Sequence, residues 1–117
     1  MKVLLVDDEE KFVSSLAERL SFRGFETHWI SDCYEAIEHV KKNRYDIAVL
    51  DMKMPCMSGI DLKRKLQELD PAMHFVFVSG HGSDDNFEDA NKEGGSYIVK
   101  PFKIEILVDR LNSIMGA

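Results

Sequence analysis

Residues 46–51, Asp46-Ile47-Ala48-Val49-Leu50-Asp51, run directly into Met52-Lys53-Met54-Pro55-Cys56-Met57-Ser58-Gly59. Four consecutive apolar residues are too few for a helix, and the branched side chains among them suit a strand buried on both faces. That strand closes on a carboxylate, Asp51. In an open parallel α/β sheet, ligands bind over the C-terminal edge of the strands, where the departing loops leave a crevice. Pro55 and Gly59 are expected to turn the chain into a loop. An Asp after a strand is also a common turn former or helix cap, so Asp51 gains meaning only from what ends the other strands.

Upstream, Lys2-Val3-Leu4-Leu5-Val6 is a second short apolar run, ending in Asp7-Asp8-Glu9-Glu10. Phe12, Val13, Leu16 and Leu20 recur at helical spacing until Gly24 supplies a C-cap residue. Glu26 to Ile30 alternates more weakly and reads as an edge strand favoured by Thr27 and Trp29. Asp32, with Glu35 three residues on, opens a helix carrying Ala36, Ile37 and Val40 inward, which Asn43 and Arg44 end. Downstream of the central strand, Ser58 and Asp61 cap a helix whose Leu62, Leu66 and Leu69 fall on one face. Its Lys63, Arg64 and Lys65 are expected on a solvated face. Pro71 breaks that helix, and His74-Phe75-Val76-Phe77-Val78-Ser79 is a fourth strand ending on a hydroxyl. Gly80 to Ser83 reads as a loop, with Ser83 or Asp84 capping a helix over roughly 85–93 anchored by Phe87 and Ala90. Ser96 to Val99 is a fifth strand ended by Lys100-Pro101, and Ile104, Leu107, Leu111 and Ile114 form the stripe of a last helix. Strand and helix alternate five times without a linker or repeat, which implies a parallel sheet with helices on both faces.

Composition narrows the function. A chain of 117 residues, 44% hydrophobic and 31% charged, fits one soluble globular domain spanning 1–117. A formal charge of −6 and a pI near 5.1 argue against a phosphate-backbone binder, so no direct nucleic-acid partner is expected. No apolar run approaches a membrane span, and the start at Met1 meets acid too early for a signal peptide, which makes the cytoplasm the expected location. Cys33 and Cys56 lack metal-site spacing and are expected as reduced thiols.

The strands end on Asp7 and Asp8, Asp51, Ser79 and Lys100, and the fold gathers all of them at one sheet edge. Three carboxylates brought together repel unless a cation neutralises them, and an all-oxygen site with few protein ligands suits Mg²⁺. A metal beside a carboxylate, with a lysine and a hydroxyl opposite, is a set of parts for phosphoryl transfer, with Asp51 as the nucleophile. Singly, the acids also suit the positive N-terminus of the first helix, and Lys100 an ordinary surface charge.

With these residues in place the chain resembles a response-regulator receiver domain, the phosphoacceptor module of two-component signalling. The resemblance rests on Val6-Asp7-Asp8-Glu9, Leu50 to Gly59, Val78-Ser79-Gly80-His81-Gly82 and Tyr97-Ile98-Val99-Lys100-Pro101-Phe102. It implies a flavodoxin-like, doubly wound sheet of five parallel strands in order 2-1-3-4-5. It also implies phosphorylation of Asp51, with Mg²⁺ held by Asp8, Asp51 and the backbone carbonyl of Lys53, and by Asp7 directly or through water. Ser79 would hydrogen-bond the phosphoryl group, Lys100 would pair with it, and Tyr97 would be a rotating switch residue. Pro101 is a candidate for a cis peptide bond. Lys53 and His81 would flank the path of the water that hydrolyses the acyl phosphate and so tune its lifetime. Between Ser79 and Lys100 the chain is about one residue shorter than the resemblance leads one to expect, near Gly94-Gly95-Ser96.

The implied partners are a histidine kinase or phosphotransfer protein, and an output protein or a second copy bound through the last two helices and the fifth strand. The domain would catalyse only its own phosphorylation and dephosphorylation. A chain ending at Ala117 leaves no room for an output domain. Two other classes remain open: a haloacid-dehalogenase-like phosphatase, which would want a second Asp where Lys53 stands, and a phosphorylation-independent adaptor on the same fold.

Overall fold

A computed structural model describes residues 1–80, 92 and 94–116. The expected His81, the Ser83 or Asp84 cap, and the helix over 85–93 with Phe87 and Ala90 lie outside the described residues. The five strands are β1 (Lys2–Val6), β2 (Glu26–Ile30), β3 (Ile47–Asp51), β4 (His74–Ser79) and β5 (Ser96–Val99). The helices are α1 (Glu10–Ser21), α2 (Cys33–Lys42), α3 (Gly59–Leu69) and α4 (Ile104–Ile114). All strands are parallel, in the order β2-β1-β3-β4-β5, so β3 is central and β2 forms one edge.

Period-two alternation divides the core into two layers. Leu4, Val6, Ala48, Leu50, Phe75 and Phe77 face Cys33, Ala36 and Val40 of α2 and Leu62 and Leu66 of α3. Val3, Leu5, Ile47, Val49, Val76, Val78 and Ile98 face Val13, Leu16 and Leu20 of α1 and Leu107 and Leu111 of α4. The three inner strands are buried on both sides, which is why they read as unbroken apolar runs.

Local signals set the helix ends. Asp32 accepts the Glu35 N–H at 3.1 Å, and Ser58 accepts the Asp61 N–H at 3.1 Å. After α1, Phe25 N–H bonds to the Leu20 carbonyl and Gly24 N–H to the Ser21 carbonyl, with Gly24 at φ 90°. This is a Schellman stop, which needs a residue tolerant of the left-handed region.

Several expectations require correction. Gly59 is not a loop residue but the first residue of α3. Its Cα lies so close to β3 that an added Cβ would stand 2.5 Å from the Asp51 carbonyl oxygen. Lys63 is not solvated: only 6% exposed, it lies over the Phe75 ring at 5.9 Å, while Arg64 and Lys65 are exposed as expected. Leu69, at the frayed end of α3, is exposed rather than on the buried stripe. Cys33 and Cys56 are not reduced thiols but a disulfide. The start of α2 packs beside the β3–α3 loop and brings their Cα atoms to 6.2 Å, within bridging range although 23 residues separate them. At the shortened segment before β5, Gly94 takes φ 73°, and a Cβ on Gly95 would meet the Phe77 ring at 2.3 Å.

Candidate functional site

The register of the sheet assembles the site. Val6 pairs with Leu50 and Asp51 with Val78, so the residues that follow β1 and end β3 emerge side by side. Ser79 pairs with Val99, and the Lys100 N–H donates to the Ser79 carbonyl at 2.7 Å, which brings Lys100 to the same edge. The Lys100–Pro101 peptide is cis.

One carboxylate oxygen from each of Asp7, Asp8 and Asp51 lies within 4.8 Å of the others. Asp7 and Asp51 are buried, whereas Asp8 is exposed at the mouth. An open, all-oxygen donor set of this kind fits a hard divalent cation that keeps several waters. Asp51 also accepts a hydrogen bond from the backbone N–H of Lys53. The Lys53 side chain points to solvent, and the residue pairs with Ser58 in a short antiparallel bridge that closes the β3–α3 loop.

The one ammonium that the described residues place at this cluster is Lys100. Its Nζ donates to Asp7 Oδ2 at 2.6 Å, lies 3.5 Å from Glu9 Oε1 and 4.0 Å from Asp51 Oδ1, and sits 4.4 Å over the Phe12 ring. Phe12 in turn meets Phe102 edge-on at 6.1 Å. Sequence reasoning missed Phe12 as a site residue because it carries a helix-stripe pattern. Its position two residues past the Asp7–Glu10 acid run was the available signal. Glu9, read as a helix-start acid, proves to be a partner of Lys100.

Burial pushes the Asp51 carboxyl up from 3.8 to about 7, and the neighbouring charge of Asp7 adds to the rise, against the pull of Lys100 and the Lys53 N–H. Burial also raises Asp7, opposed chiefly by its hydrogen bond from Lys100. Lys100 is disfavoured by its own burial, but the bond and charge of Asp7, with help from Asp51, carry it above its ordinary value. The two shifts within the Asp7–Lys100 pair pull its proton in opposite senses. The 2.6 Å contact to a carboxylate that also accepts the Glu9 N–H keeps that proton on Lys100. Without a bound cation, one ammonium thus faces three carboxylates, and Asp51 is the one it serves least.

Ser79 is buried at the end of β4, at the same edge as Asp51. Tyr97 lies opposite Phe77, half-buried against the α2–α3 layer, and its carbonyl accepts from Arg110. By strand parity Ser79 and Tyr97 belong to the same face of the sheet, one pairing step apart.

The family model described as response regulator receiver domain matches residues 3–112. The two-component response regulator PhoP of Pseudomonas aeruginosa is 34% identical over 116 residues, covering 98% of this chain and 52% of that protein. The chain spans about half the length of the curated relatives it first matches. Among solved structures, a CheY-like receiver domain protein from Methanospirillum hungatei superposes with a TM-score of 0.91 at 27% identity, covering 98% of this chain and 93% of that one. A response regulator from Burkholderia pseudomallei, solved with a phosphorylated aspartic acid, calcium ion and citrate, gives 0.84 at 26% identity, covering 92% and 64%. Fold, site geometry and these matches converge: the chain belongs to the response regulator receiver domain family of two-component signalling.

Proposed function

We infer that residues 1–117 act as a single receiver domain that takes a phosphoryl group onto Asp51 from the phosphohistidine of a histidine kinase or phosphotransfer protein, or from a small phosphodonor. The observation that carries this reading is the buried Asp51 carboxylate set between an acid cluster and the Lys100 ammonium, 4.0 Å away. An Asp51 oxygen attacks phosphorus, the bond from phosphorus to the donor nitrogen breaks with its electron pair going to that nitrogen, and the imidazole, already protonated on its other ring nitrogen, leaves neutral, giving an acyl phosphate. Asp7, Asp8, Asp51 and the Lys53 carbonyl hold Mg²⁺, which when bound offsets the charge on the carboxylates and the phosphoryl oxygens. Lys100 shifts from Asp7 towards the phosphoryl oxygens, and the Ser79 hydroxyl donates to them. A Burkholderia pseudomallei response regulator of the same fold was solved with a phosphorylated aspartic acid and a calcium ion, which supports aspartate phosphorylation and divalent-cation binding as the class of chemistry.

The added charge, roughly −1.5 to −2, biases an equilibrium in which Ser79 moves inward and Tyr97 turns into the space it leaves. The readout surface comprises β5 with its exposed Val99, α4 with its exposed Ile106 and the helix expected from the sequence over 85–93, and it meets an output protein or a second copy. Lys53 and His81, two residues beyond Asp51 and Ser79 in the sequence, are assigned to tuning the lifetime of the acyl phosphate, and the chain catalyses only its own phosphorylation and dephosphorylation. Among the described residues no helix is long and apolar enough to cross a membrane, and we assign the domain to the cytoplasm, with no nucleic-acid contact of its own.

Intact-mass measurement after incubation with acetyl phosphate and Mg²⁺ tests the assignment. Wild type should gain one phosphoryl group and Asp51→Asn none. No gain in wild type would favour an adaptor that works without phosphate, and sustained turnover of an added phosphate ester would favour a phosphatase.

A further inference from the structure

The Cys33–Cys56 bridge plays no part in the chemistry above, yet one end of it lands on the loop that leaves Asp51. That loop is a closed finger. Lys53 and Ser58 pair across its base, the Gly59 N–H donates to the Met52 carbonyl at 2.9 Å, and the Met52 N–H donates to the Val78 carbonyl at 2.9 Å. Cys56 lies near its tip and Lys53, whose N–H holds the Asp51 carboxylate, at its base. The other sulfur belongs to Cys33, the fully buried first residue of α2, so the bridge ties the tip of the finger to a fixed point in the core.

Apolar packing surrounds the Cys33 end of this bond. Cys33 sits inside a continuous cluster with Ala36, Met52 and Leu62, a site that a small apolar thiol fills as well as half a disulfide does. Cys56 is only half-buried, so the bridge has one end in the core and the other at a residue that solvent reaches. A bridge placed in this way suits reversible exchange rather than scaffolding.

We propose that Cys33 and Cys56 form a reversible redox brace on the β3–α3 loop, whose closure stiffens the backbone that positions Asp51. The oxidant is a low-molecular-weight disulfide of the glutathione class. The Cys56 thiolate attacks one of its sulfurs and expels a glutathione thiolate. The Cys33 thiolate then attacks the Cys56 sulfur of the mixed disulfide and expels the second. The two protein thiols lose two protons and two electrons, and one oxidised glutathione becomes two reduced ones. The link from brace to phosphorylation rests on the function proposed above, whereas the brace itself does not.

The test equilibrates the folded chain in glutathione buffers from fully reduced to fully oxidised, counts free thiols by alkylation and mass, and follows backbone amide exchange. The bridge should open and close reversibly, and amides of residues 53–59 should exchange about ten-fold more slowly when it is closed. Acetyl phosphate should label Asp51 at rates differing about five-fold between the two states, with Cys56→Ser and Cys33→Ala insensitive to the buffer. A bond that native protein never opens in reduced glutathione, or loop amides that exchange equally in both states, would overturn the brace. If the loop responds but Asp51 takes no phosphate in either state, the brace stands and the phosphoacceptor reading falls.

Discussion

Replacing Asp51 by asparagine should stabilise the metal-free protein, and the gain should grow with pH. In the fold the Asp51 carboxyl holds its proton up to about 7, against 3.8 unfolded, first because burial disfavours the anion and then because Asp7 repels it. Between those values the native state binds more protons than the unfolded chain. The stabilisation tied to the neutral carboxyl is therefore complete below about pH 4 and is lost as pH rises through 7. At about 1.4 kcal/mol per pKa unit, the rise from 3.8 to about 7 sets a ceiling of about 4 kcal/mol. Asp51 is only 7% exposed, yet Lys100 can swing the 4.0 Å towards it and Asp8 admits water, so about 2 kcal/mol is the expected loss. Asparagine has the shape of the neutral acid and no charge to desolvate.

Urea unfolding in EDTA at pH 4, 5, 6, 7 and 8 reads the effect directly. Wild type should lose about 2 kcal/mol relative to Asp51→Asn over that range, or roughly 8 °C in Tm. Saturating Mg²⁺ should close most of the gap at pH 8, since the cation rewards the ionised form that asparagine cannot take. Parallel stability curves for the two proteins in EDTA would refute the electrostatic reading of the site.

Gly59→Ala should cost about 1–3 kcal/mol in urea unfolding and weaken Mg²⁺ binding with it, because the new Cβ meets backbone atoms of Asp51 and Met52 that cannot yield without moving the site. Tyr45→Phe should be neutral to about 1 kcal/mol stabilising by the same assay, since the buried hydroxyl has no hydrogen-bond partner among the described residues while the ring keeps its contacts with His28 and Lys2. Lys100→Met should raise Mg²⁺ affinity about ten-fold in a fluorescence or calorimetric titration, because it removes the ammonium that competes for Asp7 and repels a second cation from Asp51.

The layered sheet was legible because parallel strands buried on both sides leave unbroken apolar runs, and Ser58 and Asp32 announce their helices by local hydrogen bonds that the sequence encodes within three residues. The acid cluster was legible for the same reason: each member terminates a strand, and a parallel sheet aligns strand ends. What escaped depends on contacts between distant segments. Lys63 opens a run of three cations that looks exposed throughout, and its burial against Phe75 follows only from how α3 docks on the sheet. Cys33 and Cys56 show no spacing rule, because their meeting is fixed by how α2 lies against the β3–α3 loop. Gly59 looked like punctuation, but its need for close approach to Asp51 exists only once α3 is docked.

The same register that makes the acids converge also decides where the charge of the site is felt. Lys100 is held at its backbone by Ser79 and at its ammonium by Asp7, and the same ammonium sits over the Phe12 ring of α1. A charge change at Asp51 therefore acts on one side chain with three attachments. Whatever draws the ammonium from Asp7 towards Asp51 frees Asp7, uncovers the Phe12 ring and loads the junction between β4 and β5. Asp7 cannot pair fully with Lys100 and coordinate a cation through the same oxygen, so metal binding and movement of Lys100 are linked by competition for one carboxylate. On the proposed function, the metal that prepares Asp51 for phosphoryl transfer also loosens the lysine that the phosphoryl group then captures. On that function the route from site to surface would run through β5, because Tyr97 and Lys100 sit on the same short strand and its exit, three residues apart.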